Sequence, residues 1–138
     1  MSPYTKSLAW FMGATGCLPF VFPVLFWPLA GAAEQATLAL MFTAYSAIIL
    51  SFLGGVHWGV AMDADNAPQL AVSVLPALAA WSTILLPLAP RIAALGLLYV
   101  GWLLAELALG LPRPYARLRL VITMVVVALH FAFWWQIT

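Results

Sequence analysis

Four residues in this sequence have side chains able to do chemistry in an apolar setting: His57, Glu106, Arg119 and His130. Glu106 lies inside an apolar run, 92–111, where an ionised carboxylate costs ~2.5–3.5 kcal/mol at mid-membrane. It must face a partner or a wet cavity, or hold a proton. Depth counting names the partner. His57 precedes Met62, the end of its apolar run, by five residues, and Glu106 precedes Leu111 by five. Both therefore sit ~7–8 Å below their helix ends at 1.5 Å per residue. Arg117 and Arg119 enter the same zone at the start of the last run. A cluster of His57, Glu106 and Arg119 is expected, either as a polar knot that stabilises the fold or as a ligand or proton site. Trp58 neighbours His57, while Trp102 and Tyr99 precede Glu106 by four and seven residues, which gives an aromatic–acidic helix face. A planar lipophile such as a quinone or tetrapyrrole could stack there; aromatic packing between helices is the competing reading.

His130 lies ~18 Å along its helix from Leu118. It differs from His57 by about 10 Å in depth, too far for one haem held by both. It reads as a hydrogen-bonded interior histidine sharing a face with Thr123, Val127 and Trp134. The single Cys17 excludes an internal disulfide and any cysteine-based metal site. No phosphate-binding glycine loop, HExxH, GxSxG or paired intramembrane aspartate occurs. A catalytic role, a metal and a cofactor are not expected.

These groups need elements to position them, and composition dictates which kind. The chain has 138 residues, 66% hydrophobic and 7% charged, with mean hydropathy +1.08. A soluble domain is about a quarter charged, so this chain cannot present a water-compatible surface. A net charge of +1 offers nucleic acid no electrostatic footprint. Five apolar segments, roughly 8–29, 35–62, 69–88, 92–111 and 118–137, are bounded by charge or proline. Helices are required, because lipid offers no partner to an unpaired backbone group. The expected fold is an all-α integral membrane protein, a single five-helix transmembrane bundle. The first segment is longer than the 7–15 residues of a signal-peptide core and is read as a retained helix. Pro19, Pro23 and Pro76 should kink or unwind the first and third helices. A cytoplasmic N-terminus places Lys6, Arg113, Arg117 and Arg119 inside and Arg91 alone outside, together with the C-terminus.

The second helix carries small residues every four positions: Thr43, Ala47, Ser51, Gly55 and Gly59. Such a stripe lets two helix backbones approach closely in lipid. The partner is another helix of this chain, a second copy or another membrane protein. His57 lies about 200° around the helix from Gly55. Both sides of this helix are thus specialised, which places it centrally.

The run YSAIILSFLGGVHWG, from Tyr45 to Gly59, resembles the family of small membrane proteins known as domain of unknown function 3429, which includes transmembrane protein 69-like proteins. Ser73-Val74-Leu75-Pro76 with Trp81, and Tyr115-Ala116-Arg117-Leu118-Arg119-Leu120, extend the resemblance over nearly the whole chain. It implies a multi-pass protein of the bacterial inner membrane and carries no activity with it. Tryptophan-rich sensory proteins share the span number, but only as architectural analogy. Two functions remain: a non-enzymatic accessory or assembly partner of a larger membrane complex, or a binder of a planar lipophile at the cluster above.

Overall fold

The structure, a computed structural model, describes residues 2–138. Five passes, Pro3–Leu29, Ala32–Asp63, Ala67–Leu85, Leu88–Leu109 and Arg113–Ile137, are each long and apolar enough to cross a membrane. No strand occurs among the described residues. Two passes are broken. The first comprises α1 (Pro3–Gly16), α2 (Leu18–Phe26) and a 3₁₀ turn, Trp27–Leu29. The second is the single helix α3 (Ala32–Asp63), and the third comprises α4 (Ala67–Val72), α5 (Leu75–Ser82) and a 3₁₀ turn, Thr83–Leu85. The fourth and fifth are α6 (Leu88–Leu109) and α7 (Arg113–Ile137).

Prolines set the breaks. The absent N–H of Pro76 would have bonded the Val72 carbonyl, and α4 ends at Val72. Pro19 deprives Thr15 in the same way, and α1 ends at Gly16. Pro23, by contrast, is carried inside α2 without ending it. Both breaks face α3. The Tyr45 hydroxyl donates to the Gly16 carbonyl at 2.7 Å. Gly54 lies beneath the third-pass break, where a methyl group would overlap the Ser73 carbonyl oxygen and crowd Pro76. Close backbone approach on α3 is therefore centred on Gly54, beside the small-residue stripe and not on it.

α3 occupies the middle, touching α2, α4, α5 and α6, while α7 lies along α6 and against α2 and α1. Phe20, Phe42, Leu50, Ile92, Leu95 and Phe133 fill the space among α2, α3, α6 and α7. The outer faces are apolar: Phe11, Phe52, Leu97, Trp81 and Phe131 are all exposed. At the pass ends, Gly110 takes φ 85° to terminate α6. Arg91 donates to the carbonyls of Ile84 and Leu86, satisfying the end of the third pass.

Candidate functional site

The structure brings His57, Glu106 and Arg119 into contact. Glu106 is fully buried, and His57 and Arg119 nearly so. Arg119 grips the carboxylate in fork geometry: Nη2 donates to Oε1 at 2.6 Å, and Nε to both oxygens at 3.1 Å. Its Nη1 donates to the Thr123 hydroxyl at 3.2 Å, one turn along α7. His57 Nε2 lies 3.3 Å from Glu106 Oε2.

The donor pattern runs in one direction. Asn66 caps α4 by accepting the Gln69 backbone N–H at 3.1 Å, and its Nδ2 donates to Gln69 Oε1 at 3.3 Å. With Oε1 so occupied, Gln69 presents its Nε2 amide to His57 Nδ1 at 3.1 Å. Nδ1 accepts, so the Nε2–H of a neutral imidazole donates to Glu106. One carboxylate and one guanidinium then balance inside the bundle, and the imidazole extends the hydrogen-bond network without adding charge. Gln69 is absent from the cluster expected from the sequence. Its signal is the Asn66-x-x-Gln69 pattern of a capping box, which turns the third-pass helix start toward the end of α3.

The aromatic residues divide. Trp102 packs edge-on against His57, ring centres 5.4 Å apart, and its buried Nε1 has no hydrogen-bond partner among the described residues. Trp58 is exposed on the outside of α3 and does not join the cluster. Tyr99 belongs to a second polar layer nearer the opposite end. Its hydroxyl donates to the Ser46 carbonyl at 2.7 Å. His130 Nδ1 donates to the Val126 carbonyl at 2.7 Å, so Nε2 accepts from the Ser46 hydroxyl, also at 2.7 Å. Phe20, Phe42 and Tyr99 surround the His130 ring at 4.7–5.3 Å between centres. A serine hydroxyl donating to a histidine would suit nucleophilic catalysis, but Ser46 is wholly enclosed and no substrate can reach it.

The stripe on α3 splits in the same way. Thr43 is buried, Ala47 and Ser51 are half-buried, and Gly55 and Gly59 are exposed with open space where a Cβ would stand. Thr43, Ala47 and Ser51 form the floor of a lateral groove of about 350 Å³ between α3 and the third pass. Two further grooves, of about 300 and 200 Å³, lie beside α6, and the smaller touches Trp102. None of these three is lined by His57, Glu106 or Arg119.

A multi-pass membrane protein, with a charge-balanced Arg–Glu–His group linking its second, fourth and fifth passes, is the class these features define. The chain belongs to the family described as Protein of unknown function (DUF3429), whose profile matches residues 5–135. It is similar to transmembrane protein 69 of Xenopus tropicalis, with 40% identity over 83 residues, covering 56% of this chain and 32% of that protein. The chain thus spans about a third of that relative's length. No solved structure matches.

Proposed function

We propose that this is a non-enzymatic accessory or assembly partner of a larger membrane complex, seated in a bacterial inner membrane with Lys6, Arg113 and Arg117 on the cytoplasmic side. The observation that carries the reading is the uncovered half of the α3 stripe. At Gly55 and Gly59 no atom of the described residues, apart from the adjoining stretch of α3 itself, lies within 4 Å of a Cβ position. Ile48, Phe52 and Met62 flank these glycines as exposed apolar side chains. A backbone track bordered by such knobs suits close approach of a foreign helix, through van der Waals contact rather than hydrophobic drive. The polar groups support the same reading. Glu106, Arg119, His57 and Tyr99 spend their hydrogen bonds on each other, on the Gln69 and Thr123 side chains and on backbone. That leaves the binding of a quinone or tetrapyrrole at the cluster with less support than docking at the outer face.

Native mass spectrometry from mild detergent tests this. Expected is a species heavier than one chain, from a partner protein or a second copy, that reverts to monomer in Gly55→Leu and Gly59→Leu while the fold persists. A strictly monomeric, partnerless wild type would overturn the proposal. A tightly held chromophore displaced by Trp102→Leu would favour the ligand reading.

A further inference from the structure

We infer that the groove between α3 and the third pass is a binding site for one anionic phospholipid, its acyl chain in the slot and its phosphate on Arg91. The floor runs along α3 from Leu40 to Ser51, a length of ~16 Å at 1.5 Å per residue. Ile48 and Ile84 supply apolar wall, and Ala44 leaves room. The floor hydroxyls of Thr43 and Ser51 donate to their own helix, to the carbonyls of Ala39 and Ala47, so the slot presents hydrocarbon and not free donors. This suits an alkyl chain better than a polar guest.

Charge selects the head. Arg91 closes one end of the groove and is the one basic residue at that end of the bundle. No carboxylate lies within ion-pair distance of it among the described residues. Its Nε and Nη2 are committed to the Ile84 and Leu86 carbonyls, which hold the guanidinium plane in place. Nη1 has no partner among the described residues and is free for a phosphate oxygen. Trp81, 69% exposed, stands on the groove wall with its ring beside the slot. A fixed cation at the mouth of a chain-length apolar slot matches the two ends of a phospholipid.

The test uses the full chain in vesicles, with dibrominated phosphatidylglycerol or dibrominated phosphatidylcholine as quencher of tryptophan fluorescence. Expected is roughly fivefold tighter association of the glycerol lipid, the value of one basic contact at ~1 kcal/mol. The excess quenching disappears in Trp81→Phe, because that ring reports the groove. Arg91→Lys retains the preference and Arg91→Gln abolishes it. Arg91 also caps the third pass, so Ala44→Phe supplies an independent arm: it fills the slot from an exposed position and should abolish the preference with thermal unfolding unchanged. Equal quenching by the two lipids in the wild type would overturn the inference. So would a preference that survives Ala44→Phe, or one that persists in Trp81→Phe and so belongs to Lys6, Arg113 and Arg117. Dimers abolished by Ala44→Phe without any lipid preference would make the groove a protein interface instead. None of these outcomes depends on Gly55 and Gly59.

Discussion

Replacing Glu106 by Gln isolates the energetic role of the buried ion pair. The side chain keeps its volume and loses its charge. Arg119 then retains two donors, Nε and Nη2, aimed at a group with one acceptor oxygen, at a fully buried site. Opening a buried pair from one side costs about 3–5 kcal/mol, because the remaining charge is left uncompensated. A chain unfolded within a membrane or micelle also finds partners, which lowers measured values. The low end, about 3 kcal/mol, is therefore expected, or roughly 150-fold in the unfolding equilibrium constant at 1.36 kcal/mol per decade. Steric trapping in bicelles, or detergent-denaturant titration followed by circular dichroism, reads this directly. The companion variant combines Glu106→Leu with Arg119→Met. Removing both charges removes the uncompensated one, leaving chiefly the His57 Nε2–H without its acceptor, at about 1–3 kcal/mol. The double variant should thus be markedly more stable than the sum of its singles. Wild-type stability in Glu106→Gln, or strict additivity in the cycle, would refute the claim that charge pairing holds α6 to α7.

Other substitutions separate the remaining contacts. Gly54→Ala should destabilise by about 1–3 kcal/mol through overpacking against the Ser73 carbonyl, whereas Gly55→Ala and Gly59→Ala, with open space around them, should leave monomer unfolding within about 0.5 kcal/mol. Ser46→Ala removes the donor to His130 Nε2 and leaves a buried acceptor unpaired, with an expected loss of about 1–3 kcal/mol in the same unfolding assay. Tyr99→Phe should cost less, about 0.6 kcal/mol, the average for one interhelical hydrogen bond in a membrane host. Gln69→Leu should speed amide exchange in α4 before it affects α6 or α7, because Gln69 fastens the start of the third pass to His57.

The five passes are legible from hydropathy because lipid forces every apolar stretch of this length to become a helix. Breaks at Pro76 and Pro19 are legible for a similarly local reason, a missing donor. Level within the bundle can be counted: helix rise is fixed, so His57 and Glu106 share a depth whatever their neighbours. Lateral position cannot be counted so simply. Tyr99 precedes Glu106 by seven residues on one face of α6, yet its hydroxyl reaches the other polar layer. Trp58 follows His57 directly and points away from it. Gly54 and Ser46, which make the closer contacts, lie off the four-residue repeat of small side chains. Which half of the stripe is covered depends on where the third pass lies, and that follows from a proline break and the Asn66 N-cap together.

Spacing nevertheless contains the second layer. On α3, Ser46 precedes His57 by 57 − 46 = 11 residues, and on α7 His130 follows Arg119 by 130 − 119 = 11. The two helices run in opposite directions, so equal steps of three turns from one shared level reach another shared level, ~16 Å away. On α6 the step from Glu106 to Tyr99 is seven residues, ~10 Å, and the long phenol side chain makes up the difference. Polar contacts at two levels fix both the sliding and the rotation of three helices, which apolar packing in lipid alone would leave loosely determined. A single layer would permit pivoting about itself. Two layers hold α3 rigidly, and the exposed glycine track and the Arg91 groove are both built on α3. A binding surface that keeps its shape before its partner arrives avoids the entropy cost of ordering on contact. On the proposed docking reading, the buried contacts of His57 and His130 thus act by holding the shape of the opposite side of α3.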